Sequence, residues 1–400
     1  MSSIINDIRS NILSEAFFYE FKGYDPFDGL NSKLFDMFPS LRSGVFGLAW
    51  IQLFKRSPIN LRSCLRVPKK RNPKGVALFI LGMLEQQRNS SDITLLEESM
   101  KLADWLIDKV CNQEEWSHAC WGYHFDWKAR AFFVPKGKPN VITTIYVAKA
   151  LLALADVISK VYPENAARYQ QLAFDSASFI VNTLYTEESG RCYFAYIPGE
   201  KAFVHNASLW GAAWVGLVGS RTNNEHFVSL ARKVAKQSVS EQATDGSWVY
   251  GARSHHQFID GFHTGYNLEA LNDLKHSLQT TEFDKSIELG LAYYKEHLFE
   301  ADGTAKYYHN NRYPLDPHSV AQAVITLIKV GGQKSDIEMA NKVLNWSIDE
   351  LYLSDKTQFV YQKTAKATNS INYVRWTQAW MYLSMSVYLN HHQKLNNESN

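Results

Sequence analysis

An alanine followed four residues later by a leucine recurs six times along the chain, each time within an apolar segment of helical character. The six pairs are Ala77–Leu81, Ala150–Leu154, Ala213–Leu217, Ala270–Leu274, Ala323–Leu327 and Ala379–Leu383. Successive alanines are 53 to 73 residues apart, so each repeat has room for a second helix and a long connection. Helical repeats of this length bury their apolar faces against their neighbours, which indicates one closed or stacked array of helices.

Amphipathic segments with charged faces alternate with these apolar ones. They are Ile93–Val110, Ala166–Leu184, Glu225–Val239, Glu282–Leu298 and Asp336–Leu351. The alternation predicts an inner ring of buried helices and an outer ring with one solvated face. For the sixth outer helix we predict Gly44–Phe54. The fold class is therefore all-α, an (α/α)6 toroid or barrel, with residues 1–395 as a single domain and residues 396–400 as a polar tail.

The balance of charge argues against a nucleic-acid or membrane-surface protein. The 42 basic and 40 acidic residues give a net charge of +2, and we interpret the one basic run, Arg66–Asn72, as a solvated loop. No apolar run appears long enough to span a bilayer, so we expect no membrane insertion. The N-terminus lacks an apolar signal segment, and the four cysteines lack metal-type spacing. We therefore expect a cytoplasmic protein with free thiols, no metal and no cofactor.

Five aromatic, turn-rich segments connect each outer helix to the next inner one. They are Trp116–Trp127, Gly190–Val204, Asp245–Ile259, Asp302–Leu315 and Asp355–Val374. Their Asp-Gly turns and alternating aromatic residues predict short hairpin loops. Seven residues before each repeated alanine stands a polar residue that can cap an inner helix: Lys70, Thr143, Asn206, His263, Asp316 and Asn372. If the inner helices are parallel, these first turns and the loops share one mouth, where we expect the functional site.

The densest polar cluster of the sequence lies at one of these helix starts. Within residues 253–269, Asp260, His263 and Tyr266 are spaced so that the last two share a helix face. Together with Asp126 in the first aromatic loop, they are our candidates for catalysis. Two carboxylates, Asp126 and Asp260, would suit hydrolysis of a glycosidic bond. His, Tyr, Asn and Arg would instead suit abstraction of a proton beside a uronate carboxylate. The residues leave both reactions open.

Further residues of the mouth loops are candidates for substrate binding. Arginine can pair with a sugar carboxylate, and aromatic rings can stack on a pyranose face. The candidates are Tyr123, His124, Arg130, His205, Asn206, Trp210, Trp248, Arg253, His256, Asp316, His318, Arg375 and Trp376.

From about residue 43 to residue 390 the chain resembles the six-hairpin glycosidase superfamily of (α/α)6 barrels. The resemblance rests on the six repeats, the DGSWVY turn and the aromatic loops. The segments WGYHFDW, IDGFHTGYNLEAL and YPLDPHSVAQAV are similar to proteins associated with bacterial surface-polysaccharide biosynthesis. The superfamily implies a carbohydrate substrate bound at the loop-bearing mouth, and it includes hydrolases, lyases and epimerases.

The leading hypothesis is a carbohydrate-active enzyme of surface-glycan metabolism with glycoside-hydrolase-like acid/base chemistry. Its substrate would be an oligo- or polysaccharide. An acidic saccharide would suit the arginines, which can pair with its carboxylates. One alternative is a uronate epimerase or polysaccharide lyase that uses His, Tyr and Arg. The other is a noncatalytic glycan-binding or scaffold protein. The sequence gives no indication of the oligomeric state.

Overall fold

The computed structural model of the protein describes residues 2–42, 44–88, 93–128 and 133–398. The helices of its first half are α1 (Ser2–Phe18), α2 (Leu34–Met37), α3 (Gly44–Arg56), α4 (Pro73–Gln87), α5 (Ile93–Ile107), α6 (Gln113–Trp116), α7 (Val141–Ile158) and α8 (Pro163–Phe179). Those of the second half are α9 (His205–Thr222), α10 (Glu225–Ser240), α11 (Gly261–Leu278), α12 (Asp284–His297), α13 (Pro317–Thr326), α14 (Lys334–Leu351) and α15 (Ala379–Glu398). Single π-helical turns follow α8 and α13 and precede α15, at Ile180–Leu184, Leu327–Gly331 and Val374–Gln378.

Six of these helices form a closed inner ring. Helices α4, α7, α9, α11, α13 and α15 each pack on the next, and α15 packs back on α4. All six repeated alanines lie in this ring and are buried. Helices α5, α8, α10, α12 and α14 pack outside it, at the positions that the amphipathic segments predict. The predicted (α/α)6 barrel is therefore confirmed.

The prediction for the sixth outer helix is wrong. That position is taken by α1, whose buried residues Ile5, Ile8 and Ile12 face the ring and which packs on α15. Helix α3, which contains the predicted Gly44–Phe54 segment, packs instead on the 3₁₀ turn Asp28–Asn31. Its Ile51 joins a small separate cluster with Leu30 and Phe35, because its apolar face is aromatic-rich and matches that turn.

The helix caps differ in part from those expected. Asp316 caps α13 as predicted, since its carboxylate accepts from the backbone N–H of His318 at 2.8 Å. The caps of α4, α7 and α11 are instead Asn72, Asn140 and Asp260, each two or three residues before the N–H that it binds. Thr143, Asn206 and His263 lie inside the first turns. Predicted and observed caps differ because several polar residues compete at each start.

The connections before α7, α9 and α15 form small antiparallel hairpins, whereas the predicted hairpins of 245–259 and 302–315 are replaced by isolated bridges. The strands are β1 (Trp127–Lys128), β2 (Phe133–Val134), β3 (Tyr185–Glu188), β4 (Arg191–Phe194), β5 (Tyr352–Leu353), β6 (Gln358–Phe359), β7 (Gln362–Lys363) and β8 (Thr368–Asn369), paired in consecutive twos. The main core runs from Ile5 to Leu389 around the ring. Helix α15 extends to Glu398, so residues 396–398 of the predicted tail belong to a helix.

One inner helix is apolar enough to resemble a membrane span. Among the described residues, only α7 has the length and mean hydropathy to cross a bilayer, and 78% of it is buried within the protein. Its apolar residues are therefore accounted for by contacts with the helices on either side of it. Burial in the ring demands side chains of the same kind as burial in lipid.

Candidate active site

The first turns of all six inner helices open into one cavity of about 570 Å³. One residue from the start of each helix lines it: Lys74, Ile142, Asn206, His263, His318 and Arg375. Arg375 lies in the π-helical turn that precedes α15. Since every inner helix contributes its N-terminal end, these helices run parallel and present their free N–H groups to the same mouth.

His263 is held by the residue that caps its own helix. The Asp260 carboxylate accepts from the backbone N–H of His263 at 2.8 Å, and its second oxygen lies 2.6 Å from Nδ1 of the same residue. Asp260 is buried, whereas the His263 side chain is 20% exposed to the cavity. The carboxylate fixes the ring so that Nε2 is the nitrogen available to a substrate, which is the arrangement of an oriented general base.

Tyr266 and His318 form a second pair beside this dyad. Their Oη and Nε2 atoms lie 2.6 Å apart, and both side chains are buried. Burial raises the pKa of Tyr266 well above its ordinary value. Burial lowers the pKa of His318 well below its ordinary value, and the charges of Lys74 and Arg375 act in the same direction. Both groups are therefore uncharged at neutral pH, and the pair can hand on a proton without starting from an ion.

Lys74 carries an amine into the centre of the barrel. It is 3% exposed and lies over three rings, at 4.6 Å from the centroid of Tyr146, 5.1 Å from Trp380 and 5.6 Å from Tyr266. No carboxylate of the described residues forms an ion pair with it. Burial, and then repulsion by Arg375, lower its pKa well below the ordinary value. Such a shift favours a neutral amine that can accept a hydrogen bond or a proton.

Arg375 is anchored from the opposite end of the sequence. Its Nη2 donates to Oδ1 of Asp25 at 2.8 Å, and its Nε donates to the other carboxylate oxygen. Both residues are buried. The guanidinium carbon lies 5.1 Å from the ring centroid of Tyr123 and 5.5 Å from that of Trp376. This bidentate pair fixes one side of the planar fork and leaves a stacked cation in the cavity wall.

Carboxylates are scarce in the cavity wall. Among the described residues Glu200 is the one acidic side chain that lines it, and that side chain forms an ion pair with Arg253. Lys55 lines it too, 5.0 Å from the ring centroid of Phe27. The wall therefore carries more positive than negative groups.

The structure brings many of the predicted residues together. Nine of them line the cavity: Tyr123, Asn206, Arg253, His256, His263, Tyr266, His318, Arg375 and Trp376. Asp260 lies just behind them as the partner of His263. His124 is close by, since Nδ1 lies 3.3 Å from the side-chain amide of Asn72, but it lines a neighbouring groove.

Other predicted residues lie elsewhere for reasons of packing. Asp126 accepts from the backbone N–H of Lys136 at 2.7 Å and pairs with Arg42, so it stabilises its own loop. Trp248 is in the core, where its indole N–H donates to the carbonyl of Ser238. The ring of His205 packs on Phe203, and the indole of Trp210 lies below the cavity. Asp316 is a helix cap. Arg130 lies outside the described residues.

Sequence reasoning missed Lys74 and Asp25. A signal for Lys74 exists, because Asn72-Pro73-Lys74 repeats the cap–proline pattern of Asp316-Pro317-His318 and so assigns Lys74 the same helical position as His318. Asp25 has no such signal, since its partner lies 350 residues away. No group of three or more potential metal ligands occurs among the residues that the structure describes.

Solved structures of carbohydrate enzymes share the fold. A cellobiose 2-epimerase from Bacillus thermoamylovorans aligns with a TM-score of 0.66 at 8% identity, over 98% of this chain and 100% of that one. An unsaturated glucuronyl hydrolase from Bacillus sp. GL1 aligns with a TM-score of 0.61 at 11% identity, over 96% of both chains. The fold is that of the six-hairpin glycosidase-like (α/α)6 barrels.

A third structure belongs to the same group. An unsaturated glucuronyl hydrolase specific for heparin aligns with a TM-score of 0.57 at 12% identity, over 83% of this chain and 89% of that one. No protein-family model and no curated protein sequence matches the chain. At these identities the likeness shows the fold, and at that level it confirms the resemblance inferred from the repeats.

Proposed function

We propose that the protein is a carbohydrate-active enzyme that moves a proton on a sugar carbon next to a carbonyl or carboxyl group, as an epimerase or isomerase does. The observation that carries this proposal is the composition of the cavity wall. Two proton-transfer pairs, His263 with Asp260 and Tyr266 with His318, lie at a cavity whose described wall residues include a single carboxylate, Glu200. The cavity volume falls within the range of roughly 300–1,000 Å³ that is usual for small-ligand sites.

The same composition argues against hydrolysis by the predicted pair of acids. A glycosidase needs two carboxyl groups that face the bond from either side, about 5 to 9.5 Å apart. Asp126 is engaged by Lys136 and Arg42 away from the cavity. Asp260 caps α11 and holds His263. Glu200 is paired with Arg253, so no second acid is available among the described residues of the wall.

The side chains support a proton-transfer sequence. Nε2 of His263 removes the proton from the carbon, the electron pair of the broken C–H bond moves into the carbonyl group, and its oxygen becomes an enolate. Arg375 and Lys74, which lie side by side in the cavity wall, supply hydrogen-bond donors for sugar oxygens. Return of a proton from Tyr266 to the same carbon, on the other face, gives the epimer. The Tyr266–His318 pair then regains a proton from water and His263 releases the proton that it took, so both return to their starting state.

The fold neighbours are consistent with this class of chemistry. One of them is described as a cellobiose 2-epimerase and two as unsaturated glucuronyl hydrolases, so the names in both groups are those of enzymes that act on sugars. We also propose a role in surface-glycan metabolism and a cytoplasmic location, as the sequence implies.

Deuterium exchange distinguishes the reactions. Incubation of the protein with a panel of oligosaccharides and uronates in D₂O, followed by proton NMR, is expected to show deuterium at one carbon of the recovered sugar. His263→Ala and Tyr266→Phe are expected to lower that exchange by about 10²- to 10⁴-fold. Asp126→Asn is the control and should retain it.

Other products would contradict the proposal. New reducing ends without deuterium at carbon would indicate hydrolysis, and absorbance of an unsaturated uronate would indicate elimination. Saturable binding of a saccharide with no exchange after long incubation would indicate a glycan-binding protein.

A further inference from the structure

A second and larger cavity lies beside the candidate active site. It measures about 1130 Å³ and is formed by the segment before α4, the C-terminal end of α5 and the loops around residues 111–124 and 135–138. We call it the basic groove and define it by its cationic side chains, which are Lys22, Lys69, Lys70, Arg71, Lys109, Lys136 and Lys138. Three of them come from the run Arg66–Asn72, which the sequence alone suggested was a solvated loop.

The groove concentrates positive charge that the chain as a whole does not have. Against its seven cationic residues stand three acidic ones, Glu20, Asp108 and Glu115, so its net charge of +4 exceeds the +2 of the whole protein. One ion pair, between Lys22 and Glu20, is found among these groups. The other six cations form no ion pair with a carboxylate of the described residues. Like charges held close together favour an anionic ligand.

Aromatic rings lie between these charges. The Arg71 guanidinium lies 5.6 Å from the ring centroid of Trp105, and Nζ of Lys109 lies 5.7 Å from the same ring. Arg71 also donates from Nε to the carbonyl of Glu20 at 2.6 Å, which fixes its position. Trp105 and Trp116 both line the groove and are half-buried. A flat ring flanked by cations suits a sugar face with an acidic substituent.

The groove and the active-site cavity share a wall. Tyr123 lines both, and its hydroxyl lies 3.1 Å from that of Tyr196 on the active-site side. On the groove side His124 contacts the side chain of Asn72, the cap of the helix that carries Lys74. The two cavities are therefore adjacent, with Tyr123 between them.

We propose that the basic groove binds the anionic remainder of an oligosaccharide whose reacting sugar occupies the active-site cavity. Repeated carboxylate or sulfate groups along the saccharide would pair with the groove lysines, and sugar faces would pack on Trp105 and Trp116. A glycan fits better than a nucleic acid, because the groove adjoins a cavity of sugar size. The link between the two sites rests on the proposed function, whereas the binding itself does not.

Calorimetric titration tests the binding separately from turnover. The probes are a hexamer of galacturonic acid, a heparin hexasaccharide and a neutral cellohexaose, each at low and at moderate salt. We expect one or both anionic hexamers to bind at least tenfold more tightly than cellohexaose, with affinity that falls as salt rises, since exposed charges are screened. The anionic hexamer that binds more tightly identifies carboxylate or sulfate as the recognised group.

Variants locate the site. Lys136→Gln/Lys138→Gln removes two groove cations that have no ion-pair partner. We expect it to weaken the binding of the anionic hexamer at least tenfold. The matched control, Lys160→Gln/Lys285→Gln, removes two exposed lysines elsewhere and should change nothing. His263→Ala should abolish exchange and keep the groove affinity, so failure of the proposed reaction is distinguishable from failure of the groove.

Three results would overturn the proposal. Equal affinity for the neutral and the anionic hexamers would show that charge is not recognised. Equal loss in both double variants would show that general charge, and not the groove, attracts the ligand. Tighter binding of a single-stranded DNA oligomer of the same charge would indicate a nucleic-acid surface.

Discussion

At the scale of single residues, Lys74 is the most costly side chain in the candidate site. Its amine is 3% exposed and forms no ion pair with a described carboxylate, so it has lost its hydration and is held neutral, at a cost in stability that three aromatic rings offset poorly. It also lies in the first turn of α4, where the helix dipole disfavours positive charge. A side chain kept under these conditions contributes to function at the expense of stability.

The substitution Lys74→Met tests this trade-off. Methionine has a similar shape and fits the aromatic surroundings, so we expect the free energy of unfolding to rise by roughly 1–4 kcal/mol, as for other buried ionisable groups replaced by apolar residues. Deuterium exchange into the sugar should fall at least about 100-fold. Urea unfolding and the NMR assay measure the two effects. A less stable variant with full activity would refute both expectations.

The burial of His205 makes the stability of the protein depend on pH. Burial lowers its pKa from 6.5 to about 4, opposed in part by Glu241. The folded state keeps the ring neutral, whereas the unfolded chain takes up a proton as the pH falls. The contribution of His205 to the free energy of unfolding is therefore complete above pH 6.5 and is lost as the pH falls towards 4. Between pH 7 and pH 5 the loss amounts to about 2 kcal/mol.

We therefore expect His205→Gln to reduce the difference in unfolding free energy between pH 7 and pH 5 by about 2 kcal/mol. Urea titrations at the two pH values measure it. His226→Gln, at an exposed position on α10, serves as the control and should leave the difference as it is in the unaltered protein. An unchanged pH dependence in His205→Gln would contradict the assignment.

Much of the residue-level site follows from local spacing. His263 and Tyr266 are three residues apart, so their common face could be read from the sequence, and the structure places both in the cavity. The pairing of Tyr266 with His318 spans 52 residues and that of Arg375 with Asp25 spans 350. Such contacts depend on how the ring closes, which no local pattern encodes.

At the scale of helices, the close approach of α11 and α13 positions the site. A Cβ atom at Gly265 would lie 2.7 Å from Cγ of Gln322 and 2.8 Å from Oγ1 of Thr326, both on α13. The neighbouring residue Tyr266 reaches His318 on the same helix. The absence of a side chain at Gly265 thus allows the distance at which the pair forms.

Gly265→Ala is expected to destabilise the protein by about 1–3 kcal/mol, because overpacking outweighs the better helix propensity of alanine. Thermal unfolding measures the loss, and exchange activity should fall with it as Tyr266 and His318 separate. Ser277→Ala, which removes a hydroxyl bonded to its own helix, is the control and should have little effect. Unchanged stability of Gly265→Ala would show that the helices can move apart freely.

Which segments form inner and outer helices was predicted better than which helices pack on one another. The apolar repeats and the amphipathic segments give the inner helices and five of the outer ones, since the period of the pattern reports a buried face. The same pattern does not say what covers that face. Helix α3 has the required stripe, yet Ile51 packs with Leu30 and Phe35, while α1 occupies the outer position.

At the scale of the whole molecule, α1 and α15 join the two ends of the chain into the ring. Helix α15 contacts α4 on one side, α13 on the other and α1 outside. Burial of Ile5, Ile8 and Ile12 depends on this arrangement. The stability of the barrel should therefore depend on residues that lie far from the cavity.

Removal of residues 1–18 is expected to abolish cooperative folding, because it deprives α15 of an apolar cover worth several kcal/mol in a protein with only about 5–15 kcal/mol of stability. Circular dichroism on heating and binding of a hydrophobic dye measure the effect. Removal of residues 396–400 is the control and should preserve the melting temperature. A cooperative transition in the shorter chain would show that the ring closes without α1.

The parallel orientation of the six inner helices has a consequence for which reactions the barrel can favour. Each helix start carries about half a positive charge, and all six converge on one cavity whose wall also holds Arg375. Such a field lowers the energy of a transition state that gains negative charge, as an enolate does. It raises the energy of the oxocarbenium-like state of glycoside hydrolysis, which gains positive charge. Where carboxylates in the wall do not offset it, the orientation of the helices thus favours negative over positive charge on a bound sugar.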